Sequence, residues 1–152
     1  NMALAGKRIA GIGSFTGIST IGTSADITMS CSSAEAVGIG VIEDGEGSIL
    51  VRKGKITAKM NAAKQACIGA IGGSVNTKIM NADIHIDSEG DYAVGIGDSE
   101  GSGNVFIMDS SINLKMACGN PRDICSADGD VQIQNSTINS LVNNKRIEHN
   151  SN

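Results

Sequence analysis

Aromatic residues are nearly missing from this chain: of 152 residues none is Trp, one is Tyr and two are Phe. A conventional globular core leans on aromatic volume, so this interior must be narrow and filled by Ile, Val, Met and Ala. Proline occurs once, against 20 Gly. No Lys/Arg cluster interrupts a net charge of −4, which removes the electrostatic footprint of a nucleic-acid binder. Nor does any apolar run approach the roughly 20 residues that a membrane-spanning helix needs. Asn1-Met2-Ala3-Leu4-Ala5 has neither the charged start nor the apolar core of a signal peptide. With the first repeat beginning within ten residues of the start, the chain is read as processed, or as a segment of a larger protein. With 40% apolar and 18% charged residues, disorder is not expected. Helices are disfavoured too, because no stretch sustains an i, i+3, i+4, i+7 apolar pattern and Gly is frequent. At most, a helical turn elaborates a corner around Met60 to Ala66.

What is present is a repeat. Ala10-Gly11-Ile12-Gly13 returns as Val37-Gly38-Ile39-Gly40, Ala66-Cys67-Ile68-Gly69, Val94-Gly95-Ile96-Gly97 and, degraded, Asp123-Ile124-Cys125, with the isoleucines 27, 29, 28 and 28 residues apart. A second phrase keeps step with it, alternating inward and polar residues from Ile27, Ile56, Ile84, Ile112 and Ile138. Period two marks a strand with one buried face. Between them lie Ile49-Leu50-Val51, Thr77-Lys78-Ile79, Val105-Phe106-Ile107 and Val131-Gln132-Ile133, with a weaker copy around Ile18 to Ile21. The dividers between these segments are too short for crossover helices, so consecutive strands cannot be parallel neighbours in one sheet. Each strand instead turns a corner and pairs with its counterpart one repeat later. Three short strands and about 28 residues per circuit predict a single-stranded parallel β-helix of about five coils over residues 1–142. Residues 143–152 form a polar tail or cap.

Stacking assigns the core. Ile12, Ile39, Ile68, Ile96 and Ile124 make one inward ladder; Ile27, Ile56, Ile84, Ile112 and Ile138 make a second; Met29, Ala58, Ile86, Leu114 and Ser140 make a third; and Val51, Ile79, Ile107 and Ile133 line the middle face. Each fully buried Ile is worth about 1.5–3 kcal/mol. Strict alternation then turns Gly11, Gly13, Gly38, Gly40, Gly69, Gly95 and Gly97 outward as a bare stripe, interrupted by Cys67 and Cys125. Glycines in such a stripe supply special backbone angles or let a loop pack close; the other reading is a flat platform for another chain or an extended polymer, with self-association through it or through open coil ends.

Two other surfaces carry possible chemistry. The third segment presents Thr28, Thr57, His85, Asn113 and Asn139 outward, flanked by Ser30, Lys59, Asp87 and Lys115. Short hydrogen-bonding side chains at regular height suit sugar hydroxyls, and Thr57, His85, Asn113 and Asn139 are the candidate ligand row; a solvated strand face has the same composition. Acidic residues collect after the first segment, with Asp98 and Glu100 one repeat before Asp128 and Asp130. Clustered carboxylates could hold Ca²⁺, although no EF-hand or nonapeptide calcium motif is present.

Enzymatic signatures are poor. Polysaccharide cleavage needs close carboxylates, or bound Ca²⁺ with an Arg or Lys base, whereas Arg8, Arg52, Arg122 and Arg146 are scattered. His85 has no evident partner in the sequence, and His149 sits in the polar tail. Cys31 falls on an inward ladder. Cys118 and Cys125 bracket Pro121 and could close a disulfide in an oxidising compartment. No C-x₂-C spacing suggests zinc.

The repeat as a whole, best seen in Ala36-Val37-Gly38-Ile39-Gly40 leading to Ile56-Thr57-Ala58 and in Ala93-Val94-Gly95-Ile96-Gly97 leading to Ile112, resembles the Gly-rich "AGIGGG"-type repeats of large bacterial surface and secreted proteins. The resemblance covers residues 9–142. It implies parallel β-helix coils, an extracellular or cell-surface setting, and adhesion or carbohydrate binding to an extracellular polysaccharide or cell-surface glycan. The expectation is a non-enzymatic surface module, a spacer, adhesin or glycan platform. The alternative is a polysaccharide lyase or glycoside hydrolase on the same fold.

Overall fold

The computed structural model describes residues 1–15, 17–98 and 100–149, without the side chains of residues 18 and 19, and contains strands and no helix among them. Each circuit is a long strand followed by a short one: β1 (Met2–Ser14) and β2 (Ile18–Thr23), β3 (Ile27–Ile42) and β4 (Glu46–Arg52), β5 (Lys55–Ile71) and β6 (Ser74–Met80), β7 (Asp83–Asp98) and β8 (Val105–Met108), β9 (Ser111–Cys125) and β10 (Val131–Gln134). Strands β11 (Thr137–Val142) and β12 (Lys145–Ile147) finish the chain. The long strands stack as β1-β3-β5-β7-β9-β11-β12 and the short ones as β10-β8-β6-β4-β2. Every pair is parallel except β11 with β12. The chain is a parallel β-solenoid.

The third segment of each repeat runs on into the first segment of the next, so three faces are built from two hydrogen-bonded ladders. The long strands bend where pairing skips a residue, as between Gly6↔Ser33 and Arg8↔Glu35. Met60 to Ala66, where a corner helix was conceivable, is strand within β5. At the next corner Lys53, Asn81, Asp109 and Asn135 take φ of 63°, 53°, 50° and 45°. Asn and Asp tolerate this left-handed conformation best among non-Gly residues, which explains the polar dividers.

All four inward ladders form in the expected register. Ile12, Ile39, Ile68, Ile96 and Ile124 stack, as do Ile27, Ile56, Ile84, Ile112 and Ile138. Ile39, Ile56, Ile68, Ile84, Ile96 and Ile112 are completely buried. The buried apolar side chains are Ile, Val, Met, Ala, Leu and Cys, so the stacked ladders build this core without aromatic volume.

The bare outer glycine stripe is not what forms. A side chain at Gly38 would meet the Met29 sulfur, so Gly38 faces the interior, and Cys67 at the same level lies within the core cluster. Alternation slips by one residue there, and Ile39 also points inward. Gly40, Gly69 and Gly97 are buried as well. They have φ of +143°, +140° and +106°, and a Cβ on any of them would strike the carbonyl oxygen of the next coil. Here glycine is required by close approach and by backbone angle. Around them Val37, Ile42, Ala66, Ile71 and Val94 form a second apolar cluster, flanked by Tyr92 and Cys125. Arg8 crosses this face, bonding Glu35 on one margin at 2.7 Å and Glu43 on the other. Lys64 makes a similar strap to Glu100 at 3.5 Å, its Nζ 5.8 Å from the centre of the Tyr92 ring. The outside of the first face is sealed.

At the C-terminal end, Asn143 and Asn144 (φ 49° and 62°) make the tight turn of a hairpin, and β12 pairs antiparallel with β11. The Asn143 side chain accepts from the Cys118 amide at 3.1 Å and donates to the Cys118 carbonyl at 2.9 Å. It thereby occupies the edge of β9 beyond the last parallel pair. Residues 143–149 thus cover the end of the larger sheet.

Candidate functional site

The third face projects its side chains from strands already fixed by the Ile ladders beneath them. Thr28, Thr57, His85, Asn113 and Asn139 lie in one outward column. Ser30, Lys59, Asp87, Lys115 and Leu141 form the next. Together Thr57, His85, Asn113 and Asn139 line a shallow, open depression of about 420 Å³, edged by Lys59 and Leu141. The structure therefore brings all four candidate ligand residues to one surface. Adjacent members are one strand spacing apart, about 4.8 Å.

Neighbours within the face hold its side chains. His85 Nε2 lies 3.1 Å from Asp83 Oδ1, so the imidazole has a partner after all. The signal was in the sequence, since residues two apart on a strand point the same way. Asn139 donates to Asn113 Oδ1 at 3.1 Å, which leaves amide groups aligned along the solenoid axis. Lys115 approaches Asp87 at 4.0 Å. Leu141 is 45% exposed and gives the depression an apolar end.

The acidic residues are placed differently from one another. Asp98 is fully buried on the inner side of its strand. Its carboxylate accepts from the amides of Gly101 and Gly103, each at 3.1 Å, and of Val75 at 3.4 Å. Burial pushes this carboxyl above its ordinary range, and the amide hydrogen bonds only partly offset that. Glu100 reaches Lys64, while Asp128 and Asp130 are exposed. Among the described residues no three of His, Cys, Asp or Glu are grouped as a metal site.

All four cysteines are free. Cys118 and Cys125 do not form the disulfide that their spacing allowed: Cys118 turns to Ser88 in the interior, and Cys125 Sγ lies 3.2 Å from the Asp98 carbonyl oxygen. Burial, then the nearby Asp98 charge, pushes the Cys125 thiol up to about 12. It is not poised as a nucleophile.

One cluster has the residue types of a catalytic triad. Asp123 Oδ2 accepts from Ser140 Oγ at 2.8 Å and lies 2.6 Å from His149 Nε2. Both partners converge on one carboxylate oxygen, so His149 is not interposed between serine and aspartate as a general base must be. The arrangement ties the C-terminal segment onto the last coil. Burial alone would raise the Asp123 pKa, but the hydrogen bonds from His149 and Ser140 hold it below the usual carboxylate range. Sequence spacing could not reveal this contact, which depends on the chain doubling back after Asn144.

Fold and surface together define a parallel β-solenoid with one sealed face and one open, polar, in-register face. No family model, curated protein or solved structure matches the chain.

Proposed function

We propose that this chain is a non-catalytic repeat module of a cell-surface or secreted protein, and that its third face binds carbohydrate. The observation that carries the reading is the column Thr57, His85, Asn113 and Asn139, held in register along an open depression. Hydroxyl, imidazole and amide groups both donate and accept hydrogen bonds, as sugar hydroxyls do. A regular coil step offers the same contact repeatedly to a polymer lying along the axis. Many weak contacts of about 1 kcal/mol each then add up without a deep pocket. Cell-surface adhesion to polysaccharide is the role that suits such a face.

A glycan array on the purified chain tests this. Selective retention of one glycan class, with no new reducing ends or unsaturated products, is the expected result. Product release would favour a lyase or hydrolase instead. Absence of binding to every glycan would leave only a spacer role. Replacing Asn113 and His85 together by Ala should weaken retention at least about tenfold, the equivalent of about 1.4 kcal/mol.

A further inference from the structure

The charged column beside the polar row has an order of its own. Lys59, Asp87 and Lys115 occupy successive coils at the same position, so the surface reads positive, negative, positive along the axis. Lys59 and Lys115 are both exposed. Lys115 touches Asp87 only at 4.0 Å, and Lys59 has no ion-pair partner among the described residues. The two ammonium groups are anchored two coil steps apart, about 9–10 Å by the strand spacing. One disaccharide of an extended β-linked glycan advances by about that distance.

We infer that the third face takes an anionic glycan in which a uronic acid alternates with a neutral sugar, lying along the solenoid axis. This rests on the reading of that face as a glycan platform. Carboxylates on alternate rings would meet Lys59 and Lys115, each through a charge-assisted hydrogen bond. The intervening neutral ring would face Asp87, whose carboxylate only accepts hydrogen bonds and so pairs with a hydroxyl or acetamido N–H. A polymer charged on every ring would set one carboxylate against Asp87, and that repulsion discriminates against it. A neutral polymer would leave both lysines unused. The hydrogen-bonding row of His85 and Asn113 runs alongside and fixes the sugar hydroxyls.

Calorimetry with three hexasaccharides tests the inference: one from hyaluronan, alternating glucuronate with N-acetylglucosamine; an oligogalacturonate, charged on every ring; and N-acetylchitohexaose, uncharged. The hyaluronan fragment should bind about tenfold or more tighter than the other two, and its affinity should fall with added salt. The K59A/K115A variant should reduce it to the level of the neutral sugar without changing the melting temperature. The D87K variant makes the column uniformly positive and should shift preference toward oligogalacturonate. Equal or tighter wild-type binding of either competitor would overturn the inference, as would a K59A/K115A variant that binds hyaluronan unchanged. If none of the three binds while another glycan on the array does, the alternation is wrong but the platform stands. If no glycan binds at all, the platform itself fails.

Discussion

Strand β5 crosses two faces of the solenoid, and their outer surfaces have opposite fates. Over Lys55–Met60 the outward residue Thr57 is half-buried and Lys59 exposed, while over Ala66–Ile71 every residue is buried. The inner ladders under both halves are alike. The difference therefore comes from outside the sheet. On the first face Val37, Ile42, Ala66, Ile71 and Val94 form a buried apolar cluster, and the ion pairs of Arg8 with Glu35 and Glu43 and of Lys64 with Glu100 join its margins. Medium-sized polar residues on the third face pair with one another, as Asn139 does with Asn113 and His85 with Asp83, and the face stays open. A stripe of glycine looks accessible in a sequence, yet Gly40, Gly69 and Gly97 are here buried, and the open polar row lies on another face.

The largest test of this contrast is a matched pair of valine substitutions in β5. Gly69→Val puts a branched side chain at φ +140° and into the backbone of the neighbouring coil, and should cost about 4 kcal/mol or more. Thr57→Val lies on the open face and should change stability by no more than about 0.5 kcal/mol. Chemical denaturation of both variants gives the comparison directly; equal effects would mean that the two outer surfaces do not differ. Next in size, Ile68→Ala under the sealed face and Ile84→Ala under the open face should each cost about 2–5 kcal/mol. Those two losses should be similar, because the interior does not distinguish the faces. A clearly larger cost for Ile68→Ala would show that sealing contributes to the core itself.

The coil, its register and its inward ladders were legible in the sequence because they are periodic: one misplaced isoleucine in 28 residues would break the pattern. The slip at Gly38 was not. It inserts one residue into the alternation, and nothing in Val37-Gly38-Ile39 says that both Gly38 and Ile39 turn inward. The closure over Val37, Ala66 and Val94 was hidden for a related reason. It joins Arg8 to Glu35 and Glu43, residues 27 and 35 positions away, so no local pattern records it. The polar row of Thr57, His85, Asn113 and Asn139 could be read off, since period two alone puts it outside. Its charge order became meaningful only once Lys59, Asp87 and Lys115 were known to stack.

Two carboxylates, Asp98 buried and Asp123 half-buried, extend the contrast to pH. Asp98, inside the first face, has its pKa raised by burial, so ionisation opposes folding, and the protein gains stability as pH falls through the raised folded value. Asp123, tied to His149 and Ser140, has its pKa lowered, so its contribution is present above the unfolded value and is lost as pH falls through the folded one. Thermal melts from neutral to acid pH should therefore separate D98N from D123N. The advantage of wild type over D123N should shrink on acidification, while wild type should gain relative to D98N. Parallel behaviour of the two variants would refute the assignment of burial to one and hydrogen bonding to the other.

The smallest effect concerns two lysines of the same strand. Lys64 spans the sealed face with its ammonium 3.5 Å from Glu100 and 5.8 Å from the Tyr92 ring centre; Lys59 stands in solvent on the open face. Lys64 is 38% exposed as a side chain, so solvent screens the ion pair and its worth is about 0–1 kcal/mol. Its alkyl stem adds cover for apolar residues beneath. Lys64→Ala should thus lower stability by about 1 kcal/mol, with part of the loss reproduced in wild type by high salt. Lys59→Ala should leave stability unchanged at any salt concentration. If both substitutions are silent, the straps are incidental and the first face is sealed by its glycine geometry alone. If only Lys64 matters, a charge that helps hold one face is distinguished from a charge left standing on the other.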